Sequence, residues 1–140
     1  ARKAMARRMA EVQPIEGMPE ALKGLKAQGL RMALLTSNSL SNAQSFLLKH
    51  GLSDCFEDIQ AGVSVFGKPR ALKRLALSLG VRPEEALYVG DETRDIEASR
   101  KAGLRAAAVS WVYQAPELLA SKAPDFLLRT PAEWPLLLSP

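Results

Sequence analysis

A single cysteine, Cys55, stands among 140 residues, so no internal disulfide can form, a usage that fits a reducing cytoplasm. No His-Asn partnership accompanies it, and it reads as a small half-buried residue rather than a nucleophile. Histidine is equally scarce: His50 stands alone, in the last turn of an expected helix, where the dipole favours a partly positive ring, and it reads as structural. Aromatic residues are few, and none interleaves with the basic segment Arg2, Lys3, Arg7 and Arg8, which is enough to account for the net charge of +4. That segment reads as a solvated helix face, so neither nucleic acid nor a basic recognition motif enters the expectation. No apolar run approaches the length of a membrane span, and the first residues lack the apolar h-region of a secretory signal. Internal repeats and low-complexity tracts are missing as well. The expectation is a cytoplasmic protein with no membrane and no nucleic-acid partner.

What is present is a chain with 47% hydrophobic residues, long enough for one domain with a real core and too short for two ordinary ones. Residues 1–12 carry a weak helical stripe. Pro14 to Pro19 is a break, and a helix follows with Ala21, Leu22 and Leu25 on one side. Arg31 to Leu35 reads as a strand, Asn42 to His50 as a helix with a Ser41–Gln44 capping box, and Phe56 to Ala61 as a modest strand. A helix opened by Pro69 repeats apolar residues at Leu72, Leu75, Ala76 and Leu79 and ends at Gly80. Leu87 to Val89 is a short buried strand, a helix runs to Gly103, and Arg105 to Ser110 is the last clear strand. Asp125 to Leu128 is a further candidate strand, and Trp134 with Leu136 to Leu138 is expected to pack a C-terminal tail. Alternating helices and strands mean an α/β fold, a Rossmann-like parallel sheet covered by helices on both faces.

Ligands bind beyond the carboxyl ends of such strands. Three polar clusters fall there: Thr36-Ser37-Asn38, Gly67-Lys68-Pro69 and Gly90-Asp91 to Asp95. The first offers hydroxyls and backbone N–H groups leading into a helix, an arrangement suited to anions, although capping by Ser39 or Ser41 explains part of it. Lys68 sits before a helix start, where the dipole disfavours a cation, which hints at an anion nearby. Arg70 shares that oddity and is expected to be exposed. Asp91 and Asp95 bring two like charges near one helical turn. A divalent cation with a taste for hard oxygen ligands, Mg²⁺, would relieve their repulsion.

Together, Leu34-Leu35-Thr36-Ser37-Asn38, Gly67-Lys68-Pro69 and Gly90-Asp91-Glu92-Thr93-Arg94-Asp95 resemble three motifs of the haloacid dehalogenase superfamily, in particular its phosphoglycolate-phosphatase-like hydrolases. The turn from Pro14 through Gly17 to Leu22 resembles the family's re-entry from cap into core. The resemblance implies a Mg²⁺-dependent phosphatase acting on a small phosphorylated metabolite such as 2-phosphoglycolate. It implies that Thr36, Ser37, Asn38 and Lys68 bind phosphate, that Asp91 binds Mg²⁺, and that Asp95 supports the metal shell. The family's nucleophile, in an Asp-x-Asp motif on the first and central strand, has no counterpart among Asp54, Asp58, Asp91, Asp95 and Asp125. That strand and most of a cap are therefore expected upstream, with residues 1–13 as the end of a cap helix and 14–140 as the C-terminal part of the core. Such a chain alone is expected to be inactive and prone to pair as a homodimer. Ser110-Trp111-Val112-Tyr113 departs from relatives that carry a glycine after the tryptophan. A non-catalytic phosphate-binding or regulatory domain, or a phosphomutase of the same superfamily, is the alternative.

Overall fold

Strands with apolar side chains on both faces need a helical layer on each side. The computed structural model describes residues 18–112 and 114–138 and has this arrangement. In chain order come α1 (Met18–Ala27), β1 (Leu34–Leu35), α2 (Leu40–Lys49), β2 (Ile59–Gln60), α3 (Lys68–Ser78), β3 (Leu87–Gly90), α4 (Thr93–Ala102), β4 (Arg105–Val109), α5 (Pro116–Ala120) and β5 (Phe126–Leu128), closed by a 3-10 helix over Pro131–Leu138. The helix expected over residues 1–12, the assignment of 1–13 to a cap, the turn from Pro14 to Gly17, and Tyr113 lie outside the described residues.

All strand pairs are parallel, as expected, but they form two groups. Strand β1 pairs with β2, Leu34 opposite Ile59, and β4 lies between β3 and β5, with Gly90 opposite Ala108 and Val109 opposite Leu128. Among the described residues no strand pairs with the other edge of β1 or of β3. Side chains nevertheless cross the division. Leu34, Leu87, Val89, Ala107 and Val109 join Met18, Leu22, Ala43 and Leu47 of α1 and α2 in one apolar cluster. On the opposite face Ala33, Leu35 and Tyr88 pack with Leu72, Leu75 and Ala102 of α3 and α4. The two half-sheets share both cores without sharing a ladder among the described residues.

Several local readings change. The cap of α2 is Ser39, whose hydroxyl oxygen accepts from the Asn42 N–H at 3.2 Å, so the helix begins earlier than a Ser41–Gln44 box requires. Strands β1 and β2 are shorter than the apolar runs that suggested them. Helix α5 follows Pro116 without the long periodicity that would announce it. In the tail Trp134 and Leu137 are buried, whereas Leu136 is 48% exposed, because the 3-10 helix turns that side chain outward. His50 is the C-cap residue of α2 and lies against Phe46. Cys55 is buried, and that burial pushes its thiol pKa up, consistent with an inert role. No described helix is long and apolar enough to cross a membrane.

Candidate active site at the strand ends

The carboxyl end of β1 is tied to the loop after β2 by backbone bonds. The Thr36 N–H donates to the Gln60 carbonyl at 2.9 Å, Val63 N–H donates to the Thr36 carbonyl at 3.0 Å, and Gly62 N–H donates to the Asn38 carbonyl at 2.8 Å. Thr36 is fully buried. Its hydroxyl oxygen accepts from the Asn38 N–H at 3.0 Å, which leaves the hydroxyl proton for another acceptor. Among the described residues the side-chain amide nitrogen of Asn38 is buried without an acceptor, a cost that a ligand oxygen would remove. Ser37 is exposed beside them.

At the carboxyl end of β3 the polar groups form one closed arrangement. Lys68, at the start of α3, is 1% exposed, and its ammonium donates to Asp95 Oδ1 at 2.6 Å. The same oxygen accepts from the Tyr88 hydroxyl at 3.4 Å, while Asp95 Oδ2 accepts from the Asp91 and Glu92 N–H groups, each at 3.1 Å. Asp95 therefore caps α4, fastens the turn that carries Asp91, and holds Lys68. Gly90 makes this possible: a Cβ there would lie 2.3 Å from the Asp95 Cβ, so no other residue lets the Asp95 side chain fold over the strand end. Gln114 Oε1 accepts from the Thr93 N–H at 2.9 Å and completes the start of α4.

The sequence pointed to Lys68, Asp91 and Asp95, and the structure brings them together; Thr36 and Asn38 stand at the end of the neighbouring half-sheet, joined to Lys68 through the loop from Val63. Tyr88 and Gln114 were not singled out. A tyrosine inside a fully buried strand was a usable signal for Tyr88, since a buried phenol needs a partner; no local pattern marks Gln114. The remaining aspartates have other duties. Asp58 accepts from Ile59 N–H and from the Ser78 hydroxyl, Asp125 accepts from Ala106 N–H, and the exposed Asp54 lends its carbonyl to Lys26.

Hard oxygen donors suit Mg²⁺, and the buried carboxylate of Asp91 at a strand end fits that chemistry. Both oxygens of Asp95 are already engaged, so it fits a supporting place behind the ion rather than a direct bond. Among the described residues no cluster of three or more metal-ligating side chains forms.

Residues 1–109 match the family of haloacid dehalogenase-like hydrolases. The chain is 40% identical over 122 residues to a phosphoglycolate phosphatase of Synechococcus elongatus, covering 87% of this chain and 58% of that protein. It is 31% identical over 122 residues to the pyrophosphatase PpaX of Halalkalibacterium halodurans, covering 85% of this chain and 57% of the relative. A crystal structure described as a predicted phosphoglycolate phosphatase from Haemophilus somnus superposes with a TM-score of 0.77 at 26% identity, over 89% of this chain and 56% of that one. The chain thus spans less than two thirds of the length of each of these relatives.

Proposed function

Since this chain belongs to the haloacid dehalogenase-like hydrolases, we propose that it is the phosphate- and metal-binding part of a Mg²⁺-dependent phosphatase for a small phosphorylated metabolite. The observation that carries this reading is Lys68. Its ammonium has three donors and is 1% exposed, yet among the described residues it has one acceptor, Asp95. A buried ammonium with unused donors is costly unless an anion completes its shell, and a phosphoryl group supplies the oxygens.

In this reading the Thr36 hydroxyl and the Asn38 amide donate to phosphoryl oxygens, and Ser37 contributes at the rim. Lys68 offsets the charge that builds on the transferring group, and Asp95 holds it in place. Asp91 would hold Mg²⁺, which supplies further charge neutralisation on the phosphoryl oxygens when bound. In this reading the nucleophile would be an aspartate on a strand outside this sequence, filling the division between β1 and β3. Its carboxylate would attack phosphorus as the ester P–O bond breaks and the metabolite's alcohol leaves, and water would then cleave the aspartyl-phosphate to free phosphate. Similarity to a phosphoglycolate phosphatase favours 2-phosphoglycolate as substrate; similarity to a pyrophosphatase makes pyrophosphate the competitor.

Turnover of 2-phosphoglycolate and pyrophosphate with Mg²⁺ tests this, comparing residues 1–140 with a chain extended by its upstream coding sequence. The extended chain should turn over and the shorter one should not. In the extended chain Lys68→Ala should cost about 2–4 kcal/mol of transition-state stabilisation, while the exposed Lys73→Ala leaves the rate alone. Equal rates for the two variants would remove Lys68 from the site. Robust turnover by the 140-residue chain would overturn the assignment of the nucleophile.

A further inference from the structure

Helix α3 carries Arg70, Lys73 and Arg74 on its solvent side and no acidic residue anywhere along its length. Lys68 turns inward to Asp95, but among the described residues the three outer cations enter no ion pair. Cations in the first turns oppose the helix dipole, and Arg70 and Arg74, four residues apart, repel one another. From Gln60 to Arg74 the sequence contains no carboxylate to relieve this.

The two guanidinium groups border a pocket. Arg70 and Arg74 stand on one side, the loop containing Gly62 and Ser64 on the other, and Gly67 at the end, enclosing about 270 Å³. The loop is not free to close it, because Gly62 and Val63 are bonded to the Asn38 and Thr36 carbonyls. The Ser64 hydroxyl oxygen accepts from the Gly67 N–H at 3.2 Å, which leaves its proton for a further acceptor. Two planar guanidinium forks and a hydroxyl donor, with no carboxylate among the residues lining the pocket, make up the donor set of a tetrahedral dianion.

We propose that this pocket is a second anion site, taking a phosphate-type oxyanion between Arg70, Arg74 and Ser64 rather than at Lys68; its free-anion form stands without the phosphatase reading, and its two-phosphoryl form rests on it. Two sources share that chemistry: free inorganic phosphate, and a second phosphoryl group on a molecule bound at Lys68. The loop fixes the pocket beside Thr36 and Asn38, so either source reaches it from the same edge of the sheet.

The test is an amide NMR titration of the full chain with inorganic phosphate and with pyrophosphate at constant ionic strength, reading Gly62, Ser64 and Gly67. Saturable shifts are expected, weakened about tenfold or more by Arg70→Gln with Arg74→Gln, a loss of about 1.4 kcal/mol or more. The Lys pair at the same positions should fall between, because it keeps the charge and loses the fork. Phosphate binding insensitive to Lys68→Ala identifies a free anion. Pyrophosphate binding weakened by both Lys68→Ala and the arginine substitutions identifies one molecule spanning both sites. The proposal is overturned by shifts that do not saturate, by equal shifts with chloride, or by undiminished affinity in the glutamine variant.

Discussion

In the half-sheet of β3, β4 and β5, the strand leading to the site is buried at every residue, and its following turn is closed by its own chain through Asp95. In the half-sheet of β1 and β2, pairing lasts two residues, β2 is only partly buried, and the turn after β1 ends in an amide donor with no acceptor. Both ends face the same edge of the fold and carry residues proposed for the same phosphoryl group. The difference is one of internal satisfaction. The β3 end sets its Asp95 carboxylate and Lys68 ammonium against each other before ligand arrives, and of that pair only the ammonium keeps donors for a ligand. The β1 end has no internal ion pair, and its Asn38 amide still lacks an acceptor among the described residues.

The largest expected effect comes from breaking the β3 end. Asp95→Ala leaves Lys68 buried without its acceptor and frees the Asp91 and Glu92 N–H groups, which should destabilise the protein by about 3–5 kcal/mol, the usual cost of removing one partner of a buried pair. Urea unfolding reads this directly. Adding Lys68→Met should recover much of the loss, because the stranded charge is then gone. A single variant that unfolds at the wild-type midpoint would mean that Asp95 is not what fastens this end.

A smaller effect is expected from the corresponding change at the β1 end. Thr36→Val removes one hydroxyl that accepts from the Asn38 N–H, a loss of about 0.5–1.5 kcal/mol in stability. If the comparison is sound, phosphate affinity should suffer more than stability, whereas Asp95→Ala harms stability first. Calorimetric phosphate titration beside the melts measures both, and a Thr36→Val variant that loses stability alone would erase the distinction between the ends.

The smallest effect concerns the layer that both half-sheets share. Glu133 accepts from the Arg129 and Thr130 N–H groups at 2.5 and 3.0 Å, and these bonds hold its carboxyl pKa below the ordinary value, the Arg129 N–H foremost. A depressed folded-state pKa means that the stabilisation is present above the unfolded carboxylate range and is lost as pH falls through the lowered value. Glu133→Gln should therefore melt slightly below wild type at neutral pH, with the gap closing as pH falls through and below the ordinary carboxylate range, followed by Trp fluorescence because Trp134 is the adjoining residue. A gap that widens on acidification would reverse the sign.

Sequence order and local chemistry alone determined the alternation of helices and strands, the parallel pairing, and the placing of polar clusters at strand ends, because apolar periodicity and glycine or proline breaks are local signals. They did not show the need for glycine at position 90, which came from the fold, where the Asp95 Cβ would lie 2.3 Å from any added Cβ. The choice of Ser39 over Ser41 as a helix cap was beyond them, since both serines suit the role and packing of Ala43 and Leu47 sets where the helix starts. Tertiary structure alone decided that the partner of Asp95 is Lys68, a residue 27 positions earlier, and that a cation of the chain itself offsets this carboxylate. It also decided that two apolar clusters, one on each face, serve both half-sheets, which no backbone ladder joins among the described residues. Pairing between distant residues depends on how the elements stack, and no window along the chain contains that information.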